Sequence, residues 1–459
     1  MNNMTLDNIA VACNGRLFTK GAVGERELKG VVIDSRLVKN DFLFIATRGE
    51  KVDGHDYIEA ASSQGAIAVV CEKLPQNISI SYILVEDSLQ ALKDIATWYR
   101  MQLSIPLVGI TGSVGKTSTK EFVSSVLSMR YRVLKTQGNY NNEIGLPLTI
   151  LQIRKDHEIA VLEMGISDFG EMHRLSEIAK PNYCLMTNIG QCHLEQLGSR
   201  EGILSAKSEI FDFMSEDGSV ILNGDDDMLS TIHDVKGIRP IRFGFSSDND
   251  VYADKVITNG LLGSSYNLHI NGESLSLVSS MPGRHMILNA LAAATIGGML
   301  GLTGVEIAQG IEQIQPVGGR NHIMRHIKWT IIDDCYNANP VSMKAAIDLL
   351  DMADTRKVAI LGDMGELGKS ENKLHREVGS YLASKNIDII ICVGKLSKHM
   401  YEGAMEAVPD NSKTLFHFNT RDELIKALPN LLNNADTILV KASHFMGFDN
   451  IVNILNESI

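Results

Sequence analysis

Paired cysteines are missing from this chain. Its six (Cys13, Cys71, Cys184, Cys192, Cys335 and Cys392) are scattered, with no C-x-x-C pair and no Cys/His cluster at zinc-ligand spacing, which argues against a structural zinc site and for a reducing compartment. A long apolar run is also missing. The most apolar stretch, 288 to 302, is broken by glycines and an asparagine and falls short of the roughly 18 residues that a membrane span requires. The opening MNNMTLDNIAVACNGRLF has no basic segment followed by a continuous apolar one, so no secretory signal is expected and the chain reads as cytoplasmic. Positive charge is scarce: 43 Lys and Arg against 55 Asp and Glu give a formal net charge of −12. That balance disfavours nucleic acid and anionic lipid as partners, so any polyanionic ligand must be held by a local site. No internal repeat and no low-complexity tract occurs, and a monomer without membrane insertion is expected.

What is present is ordinary globular material, 44% hydrophobic and 21% charged over 459 residues, about three times a typical domain length. Short β-branched runs alternate with amphipathic segments, the pattern of helices packed on parallel sheets. They fall into three α/β blocks, 1–103, 104–320 and 321–459. In the first, strands are expected at 30 to 35, 41 to 46, 66 to 72 and 81 to 87, with helices at 55 to 64 and 88 to 103 and Ser88 as an N-cap. The second and largest opens on the strand IPLVGIT at 105 to 111. Its stretch from 237 to 277, rich in Gly, Ser and Asn, suggests antiparallel strands or an insertion, and an apolar helix follows at 285 to 300. The third alternates as a Rossmann-like layout, but it contains no G-x-G-x-x-G and so implies no dinucleotide.

The clearest chemical signal is LVGITGSVGKTSTK at 107 to 120. A buried strand runs into a glycine-rich turn and then into an amphipathic helix. Backbone N–H groups over Gly112, Ser113, Val114 and Gly115 can turn onto phosphate oxygens, helped by the helix N-terminus at Thr117 and Ser118. Lys116 adds a full positive charge, and the Thr117 hydroxyl suits magnesium. ATP and Mg2+ are the ligands this predicts. Glu163, at the end of the strand EIAVLEMG, would share a sheet edge with the loop if the sheet is parallel, and a carboxylate there suits a hard cation. His193 lies just beyond the next strand.

The spelling departs from the general G-x-x-x-x-G-K-[ST] pattern, because Ile110 occupies the first glycine position. Its form T-G-S-x-G-K-T-S/T resembles the phosphate loop of the Mur ligase superfamily, which includes the cell-wall amino-acid ligases and folylpolyglutamate synthase. That resemblance implies that His193, in T-N-I-x-x-x-H-L-x-x-x-G-S, is a metal ligand. It further implies that Lys207, in SAKSEIF, is carbamylated to hold a second magnesium ion; read bare, Lys207 is a surface lysine neutralised by Glu209.

Further likenesses point to the family's dipeptide-adding branch, which joins D-alanyl-D-alanine to UDP-N-acetylmuramoyl-tripeptide. TQGNYNNEIGLPLTIL places Asn141, Asn142 and Glu143 near the acceptor, although such a cluster also reads as a loop and helix cap. HMILNALAAA offers Asn289 to adenine, and VGGRNH offers Arg320 to the nucleotide phosphates. IIDDCYNANPVSM sets Asp334, Tyr336, Asn337 and Asn339 beside the ATP and the incoming dipeptide, with Pro340 opening a helix. LGDMGELG, followed by His375, also matches. In VKASHFMGF, Ala442 and His444 stand where the family has Gly and Arg, so an always-charged fork has become a titratable ring. In the first block, Ser35 and Arg36 resemble contacts to the nucleotide-sugar, and Asp53, Gly54 and His55 the D-G-H turn beside it. Read bare, Asp53-Gly54 is a turn and Asp56 a helix cap.

The implied activity is ATP-dependent amide ligation through an acyl phosphate, releasing ADP and phosphate. The alternatives are a sister ligase adding a single amino acid, folylpolyglutamate synthase-like ones included, and a P-loop ATPase that forms no bond.

Overall fold

Short apolar runs too brief for helices become the strands of three separate sheets, so the chain is a three-domain α/β protein. The computed structural model describes all residues except 2, 21–25, 50, 75–79, 409–412 and 458–459. The first sheet runs Arg16–Phe18, Ser81–Leu84, Ala66–Cys71, Phe42–Ile45, Gly30–Val32, all parallel but for the antiparallel edge Arg16–Phe18. That edge strand and the helix Leu6–Ala12, capped by Thr5, are additions to the expected elements. The expected helix at 55 to 64 begins as a 3-10 turn, Gly54–Tyr57, and continues as Ile58–Ser63. Asp53 caps that turn through the His55 N–H, so the Asp56 cap is corrected. The Ser88 cap is corrected too: Asp87 accepts from Leu89 and Gln90, while Ser88 opens the helix Ser88–Met101 and gives its N–H and hydroxyl to Glu72.

The central sheet has nine strands, with Leu107–Thr111, buried at every position, in its interior between Tyr183–Met186 and Ile159–Glu163. The expected irregular stretch proves half regular. Ile241–Gly244 and Val251–Thr258 extend the parallel sheet, and only Ser264–Ile270 and Glu273–Ser279 form an antiparallel hairpin. Its turn is Asn271-Gly272, both with positive φ of 51° and 80°, as a tight hairpin requires. The helix Arg284–Met299 is buried on nearly every face, which its run of alanines permits.

The third sheet runs His322–Arg325, Thr330–Asp333, Thr437–Lys441, Lys357–Gly362, Ile389–Val393, Thr414–Phe418, again parallel except for the first strand. Helices Pro340–Asp351, Glu371–Ala383, Ser397–Ala407, Arg421–Leu431 and Asp449–Glu457 cover it. The edge strand His322–Arg325 begins at the start of the third block, just past residue 321.

The two junctions between domains differ in kind. Between the first and second, the buried Arg100 guanidinium donates to the carbonyls of Ala179 (2.8 Å) and Lys180 (3.2 Å) and to Asn182 Oδ1 (3.3 Å), and within its own domain to the Leu103 carbonyl (3.1 Å). Beside it the Tyr99 hydroxyl donates to the Ile153 carbonyl at 2.6 Å. Between the second and third, the contacts are spread over separate points, among them Arg325 to the Leu261 carbonyl, Asn321 to the His285 ring and Glu195 N–H to the Glu366 carbonyl.

Candidate active site

Parallel pairing puts the ends of strands Leu107–Thr111 and Ile159–Glu163 side by side, Ile110 level with Glu163. The phosphate loop and Glu163 therefore share one sheet edge, as expected. The loop leads into the helix Lys116–Leu127 through Gly115, which is left-handed at φ 85°. Gly112 has φ 144°, and a Cβ there would fall 2.0 Å from Thr187 Oγ1, so the position admits glycine alone. Thr187 and Asn188 hold the loop from the neighbouring strand end. Asn188 accepts the Ser113 N–H on its carbonyl (2.9 Å) and the Val114 N–H on its side-chain oxygen (3.0 Å), and Thr187 Oγ1 donates to the Val114 carbonyl (2.7 Å). Lys116 lies across its own loop, donating to the Gly112 carbonyl at 2.8 Å.

Glu163 is buried, 1% exposed, and both its oxygens accept: Oε2 from the Thr117 hydroxyl and Oε1 from Asn141 Nδ2, each at 2.8 Å. Its own N–H donates to Thr136 Oγ1. This arrangement fits magnesium. A hydroxyl and a carboxylate converge beside the phosphate loop, and a hard cation of that kind takes one or two protein oxygens and fills its remaining positions with phosphate and water. No group of three His, Cys, Asp or Glu side chains forms a ready-made cage among the described residues.

Sixteen of the expected residues line one cleft of about 830 Å³: Ser113, Val114, Gly115, Lys116, Ser118, Asn141, Asn142, Glu143, Glu163, His193, Asn289, Arg320, Asp334, Tyr336, Asn337 and Asn339. Within it Asn142 caps the following helix, accepting from Ile144 and Gly145. Glu143 is gripped by Arg174 and by Lys93 of the first domain. Burial alone would raise the Glu143 pKa, but these hydrogen bonds outweigh it and hold the carboxyl below its ordinary value. Asn289 Oδ1 accepts from Thr119 in the phosphate-loop helix. The Arg320 guanidinium stacks 4.0 Å over the Tyr336 ring, whose centroid is 5.6 Å from that of His444. Asn339 caps the helix Pro340–Asp351 reciprocally with Ser342.

Lys207 is no surface lysine. It is 0% exposed on the helix Arg200–Ser208, and its Nζ has no acceptor among the described residues, while Glu209 instead accepts from Gly170 and His173. Burial, with a smaller contribution from the nearby Lys116 charge, pushes its amine down to about 8. Lys207, Gly112 and Thr117 stand behind the cleft wall rather than on it. The first-domain candidates do not line the cleft at all. Ser35 is buried, Arg36 is bound to Asp34, and Asp53 holds His55 by N–H and Nδ1 while His55 Nε2 accepts the Glu72 N–H. His375 is buried, Nδ1 donating to the Glu371 carbonyl and Nε2 accepting the Met364 N–H, so it braces the turn after strand Lys357–Gly362.

Four contributors escaped the sequence reading. Thr187 and Asn188 were visible in T-N-I only as neighbours of His193. Lys441, ending an otherwise apolar buried strand, donates to Asp334 Oδ2 at 2.6 Å and to the Asn337 carbonyl at 2.9 Å. Glu366 reaches the cleft from the C-terminal domain.

Comparison with known proteins agrees with this architecture. The model described as Mur ligase family, catalytic domain matches residues 27–99, Mur ligase middle domain matches 110–297, and Mur ligase, glutamate ligase domain matches 319–444. The chain is 36% identical to UDP-N-acetylmuramoyl-tripeptide--D-alanyl-D-alanine ligase of Bacillus subtilis, covering 100% of this chain and 99% of that one. It is 33% identical to the Escherichia coli protein of the same name, with the same coverage. Among solved structures it is similar to MurF from Acinetobacter baumannii (TM-score 0.89, 31% identity, 99% and 98% covered). It is also similar to the MurF ligase from Thermotoga maritima in complex with ADP (TM-score 0.81, 27% identity, 93% and 97% covered). A phosphate loop facing a buried carboxylate, built across three α/β domains and matched along its whole length, places this chain in the Mur ligase family.

Proposed function

We propose that this chain is the ATP-dependent ligase that joins D-alanyl-D-alanine to UDP-N-acetylmuramoyl-tripeptide. The observation that carries this reading is that Asp334, Tyr336, Asn337 and Asn339, from the motif specific to dipeptide addition, stand in the same cleft as the phosphate loop. The terminal carboxylate of the tripeptide attacks the γ-phosphorus of ATP, and ADP leaves. The dipeptide amine then attacks the acyl phosphate and loses a proton, and phosphate departs.

The chain's part is to bind, orient and stabilise charge. The amides from Gly112 to Ser118 cradle the phosphates at the helix N-terminus. Lys116 exchanges the Gly112 carbonyl for phosphate oxygens, and Arg320, presented by the Tyr336 ring, adds a second cation. Asn289 faces the adenine. Thr117, Glu163 and His193 would hold Mg2+, which when bound would offset charge on the transferred phosphoryl group. Lys207, buried and easily deprotonated, would add to CO2 with release of a proton, giving a carbamate whose oxygens would hold a second ion. Asn141 steadies Glu163, while Asn142 and Glu143 shape the acceptor side. Ser35 and Arg36 meet the nucleotide-sugar, and Asp53, Gly54 and His55 shape the adjoining turn. The block limits 1–103, 104–320 and 321–459 then correspond to nucleotide-sugar, ATP and dipeptide. No helix among the described residues is long and apolar enough to cross a membrane, and a monomer acting in the cytoplasm completes the proposal.

The test is a coupled phosphate assay with mass spectrometry of the product. Phosphate release only when the nucleotide-tripeptide, D-alanyl-D-alanine and ATP are all present, with ADP formed and the dipeptide mass gained, is expected. Phosphate release without an acceptor would replace ligation with simple ATP hydrolysis, and AMP would replace the acyl phosphate with an adenylate.

A further inference from the structure

Two non-glycine residues with left-handed backbones face each other across the junction of the second and third domains. His193 has φ 53° and Glu366 φ 61°. Such conformations cost of order 1–3 kcal/mol and persist only where the surroundings impose them. Here each surrounds the other. His193 Nδ1 lies 2.5 Å from Glu366 Oε2, a close contact between ring and carboxylate outside the angles of an aligned hydrogen bond. Two residues further on, Glu195 N–H donates to the Glu366 carbonyl at 3.3 Å. Gly368 approaches the same segment so closely that a Cβ would lie 3.1 Å from Glu195 Cα.

The consequence for the histidine ring is asymmetric. Nδ1 is sealed from solvent with the Glu366 carboxylate beside it, whereas Nε2 has no hydrogen-bond partner among the described residues and His193 lines the cleft. A ring that ligates a metal through one nitrogen commonly has a carboxylate or carbonyl on the other, fixing its orientation and strengthening it as a ligand. Here that carboxylate comes from a different domain.

We propose that Glu366 is a positioning residue: reaching over from the C-terminal domain, it holds His193 by Nδ1 and presents Nε2 to the cation, so the cation site is complete only when that domain is docked. This rests on the reading of His193 as a cation ligand, and the experiment separates the two. Mn2+ is titrated into the full chain with a non-hydrolysable ATP analogue and followed by electron paramagnetic resonance. The variants are Glu366→Ala, Glu366→Gly, His193→Ala and the double variant His193→Ala/Glu366→Gly. Glu366→Gly removes the carboxylate and relaxes the backbone, so an effect it shares with Glu366→Ala belongs to the side chain.

Both Glu366 variants are expected to bind Mn2+ about 10-fold more weakly, and the double variant no more weakly than His193→Ala. Wild-type affinity in the Glu366 variants beside a loss in His193→Ala overturns the positioning role and leaves the ligand role standing. Additive losses in the double variant also overturn it, because Glu366 would then act independently of His193. Wild-type affinity in His193→Ala removes the ligand role and the inference together.

Discussion

Lys441 and Asp334, at the ends of two strands adjacent in the C-terminal sheet, form an ion pair at 2.6 Å with the lysine 2% exposed. The same ammonium holds the Asn337 carbonyl, so one buried cation ties together the segment that carries Asp334, Tyr336 and Asn337. Removing one partner of a buried pair costs more than the pair itself contributes, because the other charge is left uncompensated. Lys441→Met is therefore expected to destabilise the protein by about 3 kcal/mol. Denaturant unfolding measures this, and adding Asp334→Asn to the same chain should recover part of the loss.

Lys116 makes its contact within its own loop, with the Gly112 carbonyl. Lys116→Ala should accordingly leave unfolding within about 1 kcal/mol of wild type. Turnover should drop by on the order of 100-fold or more, as when a preorganised charge-stabilising donor is deleted. Steady-state ligation and a melting curve on the same sample separate the two effects; substantial residual turnover would remove the phosphate-loop role.

For Glu163, the substitution to test is Glu163→Gln, which keeps the size and loses the charge that a hard cation needs. Half-saturation by magnesium is expected to move upward by about 10- to 100-fold, with saturating magnesium restoring part of the rate. An unchanged magnesium titration would exclude Glu163 as a ligand.

Burial lowers the Lys207 amine from 10.5 to about 8. Between those values the unfolded chain binds more protons than the folded one, so stability rises with pH across that window and falls back as pH drops toward 8. Lys207→Met should abolish this rise, a difference of about 3 kcal/mol between its ends. Chemical denaturation at pH 8 and pH 10.5 would show it. At pH 7.5 about a quarter of such amines are neutral, against about one in a thousand of an ordinary lysine, which favours reaction with CO2. 13C-bicarbonate should therefore give a carbamate resonance in the wild type that Lys207→Met lacks.

Contiguous features were legible in the sequence. The loop from Gly112 to Ser118, the buried strand before Glu163 and the Asn339-Pro340 helix start each declare themselves within a few residues, because one local backbone geometry demands them. Features that depend on a distant partner were not. Nothing near Lys441 announces Asp334, and nothing near Glu366 announces His193; each pairing exists only after two strand ends or two domains have met. Ser88 gave way to Asp87 as the cap because Glu72, sixteen residues earlier, takes both the Ser88 N–H and its hydroxyl. The strands within 237 to 277 were obscured because Ile241–Gly244 is short and Val251–Thr258 is interrupted by Asp254 and Lys255, and both borrow their order from the sheet they extend. Lys207, which its sequence neighbours assign to a solvated surface, is enclosed by packing that no local pattern records.

The first junction, formed by Arg100 and Tyr99, leaves a different kind of mark. Of the four hydrogen bonds that these two side chains send into the central domain, three end on main-chain carbonyls, those of Ile153, Ala179 and Lys180, and only that to Asn182 ends on a side chain. Any amino acid supplies a carbonyl, so at this cluster the central domain's share is written in the path of its backbone, whereas Glu143, held by Lys93, and Arg154, donating to the Lys29 carbonyl, add side-chain ties to the same junction. Chimeras that exchange the central domain among distant relatives should therefore keep the two domains joined, provided Arg100, Tyr99, Glu143 and Arg154 are retained and the helix Glu171–Ala179 ends at the same place.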